Sequence, residues 1–312
     1  MAHFREKLDN LLEYVWIRSH NYYHSGRDIS YDLDDPLAYY LNQSRRADYD
    51  GLFDDKGIPL HQRSDRTDYH PVSICFYGLG HLELYRKYKN EKNLGKFLKV
   101  AQWLVTQQTE DGTWLSPFPM KKFNLHGAHT SAMTQGLAIS CLSRASLLER
   151  EDRFIEAAIT ALSPFHKGLK DRGLTSQFNG YSFYEEYPAF PLRHVLNGFI
   201  YTLWGLYDLT RIHHHTDAEK LYQVGVETLR NCLHLFDTGY WSLYHVSDFS
   251  HSNPAAPHYH RLHIAQLRVM YELTGDNLFR EYSERWEIYQ QGHFNALRTL
   301  PAKLRWLLLQ DN

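Results

Sequence analysis

Four helical hairpins spaced roughly 60 residues apart, three of them followed by a Gly-plus-aromatic stretch with strand-like alternation, predict an all-α fold for this 312-residue chain. The predicted architecture is an α/α toroid, an incomplete α/α barrel of helical hairpins with short β segments across one mouth and an N-terminal arm. Residues 1–50 are assigned to the N-terminal helix and arm, and residues 51–312 to the toroid domain. The connecting loops then form the rim of a central cleft, where functional side chains usually sit.

At the start, MAHFREKLDNLLEYVW carries Phe4, Leu8, Leu11, Leu12, Val15 and Trp16 at helical spacing. Glu6, Lys7, Asp9 and Glu13 break any signal-type apolar stretch. The polar face is mixed in charge, which favours docking on the chain's own domain or on a second subunit, as in a homodimer, over a membrane surface. From about Tyr22 to Asp68 the chain reads as an irregular arm with little periodicity. The first hairpin, HLELYRKYKNEKNLGKFLKVAQWL, turns near Asn90, and the second, CLSRASLLEREDRFIEAAITAL, near Glu151. The third, LWGLYDLTRIHHHTDAEKLYQVGVETL, turns near His215, and the fourth, QLRVMYELTGDNLFREYSERWEIY, near Gly275. Turns this short make the paired helices antiparallel neighbours. GTWLSPF, GLTSQFNGYSF and GYWSLY supply the extended segments, and a strand through the last would put Tyr240 and Tyr244 on one face. His213, His214 and His215 fall in the third turn and are expected in solvent.

Lysine plus arginine total 34 against 36 acids, a balance that argues against a nucleic-acid partner. No run approaches the ~20 apolar residues of a membrane span. Cys75, Cys141 and Cys232 are odd in number and show no paired spacing, which excludes a disulfide framework and fits a reducing, cytoplasmic compartment. The 23 tyrosines suit a sugar-binding cleft, where rings stack on pyranose faces, as well as they suit a core.

Tyr184-Glu185-Glu186-Tyr187-Pro188 precedes a helical run from His194 to Thr210, and Pro188 keeps Tyr187 extended. Two carboxylates flanked by tyrosines would supply a base and a proton relay; an acidic helix start favoured by the dipole accounts equally well for the same residues. Asp237-Thr238-Gly239 occurs once, whereas an aspartic protease needs a facing pair, so the triplet reads as a turn. His260 and His263 stand at i and i+3 of a helix entered at Pro257. With no HExxH pattern and no adjacent carboxylate pair, polar helix-start residues facing a cleft fit better than metal ligands. Ser131 lacks the glycine of a nucleophile elbow two places before it, and no phosphate-cradling glycine pattern occurs.

These residues resemble the C-terminal catalytic region of D-glucuronyl C5-epimerases. The matching stretches run in order: Gly57-Ile58-Pro59-Leu60, Tyr77-Gly78-Leu79, and Ser131-Ala132-Met133-Thr134-Gln135-Gly136 with Ala138-Ile139-Ser140. They continue through Tyr184 to Pro188, Val195-Leu196-Asn197-Gly198-Phe199 and Gly205-Leu206-Tyr207-Asp208-Leu209. Asp237-Thr238-Gly239 with Tyr244, then Tyr259-His260 with His263, Gln266 and Leu267, complete the set. The resemblance implies an α/α toroid and inversion at C5 of a uronic acid within a polysaccharide, D-glucuronic to L-iduronic acid, with no metal and no cofactor. It puts the catalytic residues at Glu186, Tyr187, Tyr244 and Tyr259, and substrate contacts at Asn197 and Tyr201. Gln135 and His260, inside matched stretches, are further candidate substrate contacts. The animal enzymes carry an N-terminal anchor and β-rich domains, for which this chain is expected to be too short. The family's carboxylate-gripping arginine, three places after the Tyr244 position, is Ser247 here, so another cation is needed. Arg261, two places after Tyr259, is the candidate. A polysaccharide lyase, which abstracts the same proton and then expels the C4 oxygen, and a non-catalytic glycan-binding toroid are the competing functions.

Overall fold

The computed structural model describes residues 32–308 apart from 33, 64–65, 248–252 and 293. The predicted N-terminal helix lies outside the described residues. The hairpins are α1 (Pro71–Tyr88) with α2 (Glu91–Gln107), α3 (Ala132–Leu148) with α4 (Asp152–Thr160), α5 (Leu196–His213) with α6 (Thr216–Cys232), and α7 (Pro257–Thr274) with α8 (Asn277–Gln291). Short helices α9 (Asn295–Arg298) and α10 (Leu300–Leu308) follow. All four predicted turns are found, and three of them, all but the one at Glu151, contain residues that close one helix and cap the next. Lys89, His214 and Gly275 adopt left-handed backbone that closes the first helix. Asn90 and Asp276 then cap the second by accepting from the backbone N–H of Lys92 (2.9 Å) and Leu278 (3.0 Å). Of the histidine triplet, His214 is exposed as expected, whereas His215 Nδ1 caps the second helix by accepting from Ala218 N and His213 Nε2 lies 2.9 Å from Ser146 Oγ.

The first helix of every pair begins well before the repeat visible in sequence. These helices are interior, and α3 is buried on all sides from Ala132 to Ala145, so no polar face marks its period. Successive first helices pack on one another, α1 on α3, α3 on α5 and α5 on α7, while α2, α4, α6 and α8 cover their own partners. Backbones meet where α3 crosses α5: a Cβ on Gly136 would lie 2.5 Å from Thr202 Cα, and one on Gly205 only 2.1 Å from the Gly136 carbonyl, named here because no side chain fits.

Three small antiparallel sheets join the helices. The first is β1 (Leu52–Phe53), β2 (Pro59–Gln62) and β3 (Thr67–Tyr69), and the second is the hairpin β4 (Thr175–Phe178) and β5 (Tyr181–Tyr184). Asn179 and Gly180, both at positive φ, make the tight turn between β4 and β5. The third runs β6 (Arg193–Val195), β7 (Leu243–Ser247), β8 (Asn253–Pro254), in that spatial order. Several local expectations change. GTWLSPF forms only an isolated bridge, Ser116 to His129. His194 and Val195 pair with β7 rather than opening α5. Tyr240 sits in the turn before β7 under the Arg298 guanidinium, away from Tyr244. The Asp237-Thr238-Gly239 turn is present, with Gly239 N donating to Asp237 Oδ1 at 2.8 Å.

The stretch read as an irregular arm contains the first sheet, and its earlier part is core. Ala38, Tyr40 and Leu41 are fully buried. The Arg144 guanidinium donates to the carbonyls of Leu37 and Ala38 and forms two bonds, 2.5 and 3.0 Å, to Asp208. Tyr40 Oη (2.7 Å) and Ser140 Oγ (2.6 Å) donate to the same carboxylate. All three cysteines are free and buried, and no helix among the described residues is long and apolar enough to cross a membrane.

Candidate active site

Beside the main core lies a second, smaller cluster built of Phe123, Val195, Tyr244 and Ala255, with Met120, Leu125, Tyr187 and Tyr259 packed against it. Three elements deliver its polar groups: the segment leaving β5, strand β7, and the first turn of α7. The Tyr-Glu-Glu-Tyr run divides its labour. Tyr184 points into the main core, where its hydroxyl donates to the Leu221 carbonyl at 2.8 Å. Glu185 is fully buried, with Oε1 at 2.5 Å from Ser176 Oγ and 2.7 Å from His194 Nδ1. Its backbone bonds Leu174 on one side and the N–H of Ala132, at the start of α3, on the other. Glu185 is thus a structural carboxylate, and the segment it fastens presents the next two residues to the second cluster.

Glu186 rests against the first turn of α5, and its Oε2 is buried with no hydrogen-bond partner among the described residues. Burial pushes its pKa up to about 7, with a hydrogen bond from Tyr187 and the charge of Lys122 acting in the opposite direction. The Tyr187 ring stacks on Phe123 with centroids 3.8 Å apart. Its hydroxyl is hydrogen-bonded to Glu186 on one side and to Tyr244 on the other. Burial, followed by the nearby Glu186 charge, holds both phenols well above their ordinary pKa. Tyr259 adds its ring 4.7 Å from that of Tyr244. The structure therefore brings Glu186, Tyr187, Tyr244 and Tyr259 together from three separate parts of the chain.

Gly198 is required for this geometry. A Cβ there would lie 2.2 Å from Glu186 Oε2, closer than any carbon can stand to a carboxylate. In Gly198→Ala the better helix propensity of alanine, about 1 kcal/mol, offsets part of the cost of crowding Glu186. The carboxylate should be displaced, and any activity that depends on it should fall by about 10²-fold, the typical cost of misplacing a group by an ångström. Steady-state rates beside a thermal melt check this; normal rates would show that the carboxylate can relocate at no cost.

The other expected substrate contacts fare unevenly. Asn197, next to Gly198, has a buried Oδ1 with no hydrogen-bond partner among the described residues, while its carbonyl accepts from Gln266 Nε2 at 3.0 Å. Tyr201, one turn further along α5, packs against Phe76 and Trp204 in the main core. Gln135 is fully buried and spends its amide on the carbonyls of Gly112 (2.8 Å) and Ala161 (3.1 Å), so it fastens loops rather than meeting a ligand. His260 stacks on Trp241, accepts from Ser242 N at Nδ1 and lies 2.9 Å from the Trp286 carbonyl at Nε2. Burial lowers its pKa to about 3, and both ring nitrogens are engaged, which makes it structural. His263 meets the same Ser242 hydroxyl at 2.9 Å, and no group of three metal-ligating side chains occurs among the described residues. The charge of Lys122 lowers the pKa of Glu186, and that of Arg261 lowers the pKa of His260 beside it. Lys122 and Phe123 were not singled out in the sequence, where Met120-Lys121-Lys122-Phe123 resembles any basic turn.

A family model described as D-glucuronyl C5-epimerase C-terminus matches residues 107–288. D-glucuronyl C5-epimerase of Caenorhabditis elegans is 32% identical over 257 residues, which is 76% of this chain and 41% of the worm protein. The chain thus spans less than half the length of that relative. An uncharacterized protein of Methanocaldococcus jannaschii is 26% identical over 232 residues, covering 68% of this chain and 72% of its own. Among solved structures, a glycoside hydrolase family 76 mannosidase from Bacteroides thetaiotaomicron aligns with a TM-score of 0.43 at 9% identity, over 68% of this chain and 56% of the other, too slight a likeness to establish a shared fold. The matched region includes Glu186, Tyr187, Tyr244 and Tyr259, and on these similarities the chain belongs to the D-glucuronyl C5-epimerase family, through its C-terminal region.

Proposed function

We propose that the chain is a cofactor-independent uronate C5-epimerase, converting D-glucuronic to L-iduronic acid within a polysaccharide, and that its hairpins form an α/α toroid around the site. The observation that carries this reading is the hydroxyl–hydroxyl–carboxylate line from Tyr244 through Tyr187 to Glu186, with Tyr259 beside it. The hydrogen at C5 of a uronate is α to a carboxylate. Its removal as a proton leaves an enolate-like dianion, which needs donors and a cation nearby. Return of a proton to the opposite face of the ring yields the C5 epimer, and no other bond is made or broken. Glu186, with a pKa near 7, is part ionised at neutral pH and can take the proton. Tyr187 and Tyr244 stay protonated and serve as donors. Tyr259 is assigned to the acid on the other face, and Asn197 to the substrate's hydroxyls.

Proton NMR of a glucuronate polymer in deuterated water tests the reading. Deuterium entering C5 without chain cleavage supports it. An unsaturated, ultraviolet-absorbing product would make the protein a lyase, and binding without either change a glycan-binding module. Tyr259→Phe keeps the ring against Tyr244 and removes one proton-transfer partner, so exchange should fall by roughly 10²–10⁴-fold with binding less affected. Near-normal turnover in this variant would assign Tyr259 to packing.

A further inference from the structure

Ser247 stands where the resemblance leads one to expect a cation for the uronate carboxylate. A cation beside the second cluster comes from a different element from Arg261. Residues Lys121–Phe123 form one turn of 3₁₀ helix, closed by a bridge between Met120 and Leu125 and by left-handed backbone at Asn124. This turn is tied to the segment that follows the Glu-Glu-Tyr run. Asn124 Nδ2 donates to the Phe190 carbonyl at 2.8 Å, and the Arg193 guanidinium donates to the Lys122 carbonyl. Phe123 has Tyr187 stacked on it at 3.8 Å, the Lys122 ammonium 5.2 Å from its ring centre and the Arg193 guanidinium at 5.5 Å.

We propose that the Lys121–Phe123 turn is a clamp in which the exposed Lys122 ammonium pairs with the carboxylate of the reacting uronate, while Phe123 holds Tyr187 beside it and Arg193 acts as a positioning residue. This rests on the epimerase reading. An ammonium at this place neutralises one of the two negative charges of the enolate, and its long flexible stem can follow the carboxylate as C5 flattens. The charge of Lys122 also lowers the pKa of Glu186, Lys303 and His245.

The test uses the full chain, a glucuronate oligosaccharide and the glucose-configured neutral oligosaccharide of the same length. Lys122→Ala should weaken binding of the acidic sugar, and lower kcat/KM for C5 exchange, by roughly 10- to 100-fold, the usual worth of one charged hydrogen bond. Binding of the neutral sugar should not change, and Lys122→Arg should restore most of both losses. With the cation gone, Glu186 should titrate at higher pH, moving the acid limb of the rate profile upward. Arg193→Gln should give a smaller loss of the same kind. Unchanged binding and exchange in Lys122→Ala, with an active wild type, would overturn the clamp and leave the epimerase reading intact. A wild type that binds the acidic sugar through Lys122 but never exchanges C5 hydrogen would overturn the epimerase reading and keep the clamp. A wild type that binds neither sugar would overturn both.

Discussion

Glu186→Gln is expected to reduce C5 exchange by roughly 10²–10⁴-fold, the usual loss when a positioned base is removed. It is also expected to make the protein more stable at neutral and alkaline pH. The folded chain holds the Glu186 proton up to about pH 7, whereas an exposed carboxyl releases it near 4.5. Between those values the folded state binds more protons than the unfolded one, so wild-type stability falls as pH rises and the loss is complete above about pH 7. A shift of this size corresponds to about 3 kcal/mol. Glutamine has no such titration. Denaturant melts of the two proteins should therefore coincide near pH 4 and separate progressively toward pH 8, with the variant the more stable. In wild type, kcat/KM should rise with pH through the same interval, because the base must be ionised. Melts that separate in the opposite sense would place the carboxylate in a site that favours its charge.

Asp208→Ala should cost about 3–5 kcal/mol of folding stability, the usual result of removing one partner of a buried ion pair. Both side chains are fully buried, and the variant leaves the Arg144 guanidinium charged in the core, where deprotonation is not accessible to it. Tyr40 and Ser140 also lose their acceptor. A loss this large is about a fifth or more of the stability of an ordinary domain. The midpoint of a urea transition should fall accordingly. A midpoint within the error of wild type would show that the Leu37, Ala38 and Ser140 carbonyls suffice to hold Arg144.

Three of the four hairpin turns carry capping side chains and left-handed positions, a local signature that needs no tertiary context; the turn at Glu151 has neither and was legible from its run of charged residues. The starts of α5 and α7 were legible within two residues, from the apolar run after His194 and from Pro257, whereas those of α1 and α3 were not, because a helix surrounded by apolar neighbours carries no amphipathic period. Glu186, Tyr187, Tyr244 and Tyr259, which meet at the second cluster, were picked out by short motifs in a fixed order along the chain, each bringing its own local context. Gln135 and His260 came from the same motifs and turned out to be occupied with backbone carbonyls and neighbouring side chains. A polar residue in a motif looks the same in sequence whether it bonds a ligand or closes a buried loop. Lys122 lay beyond reach for another reason: its position is set by Asn124 and Arg193 across the turn, and neither contact has a sequence pattern.

The backbone contact between Gly136 and Gly205 decides which parts of the protein can be rebuilt. Because α3 and α5 touch without intervening side chains, their separation does not depend on the residues that face outward from α2, α4, α6 and α8. Those outer faces offer room for solubilising charges, surface tethers or fused partners that leave the carboxylate of Glu186 where it is. The crossing itself has no such latitude: any larger residue at either glycine drives the helices apart and carries the first turn of α5 away from the group that rests on it. An engineer seeking a different polymer length or a higher working temperature would therefore vary the periphery and leave this axle alone.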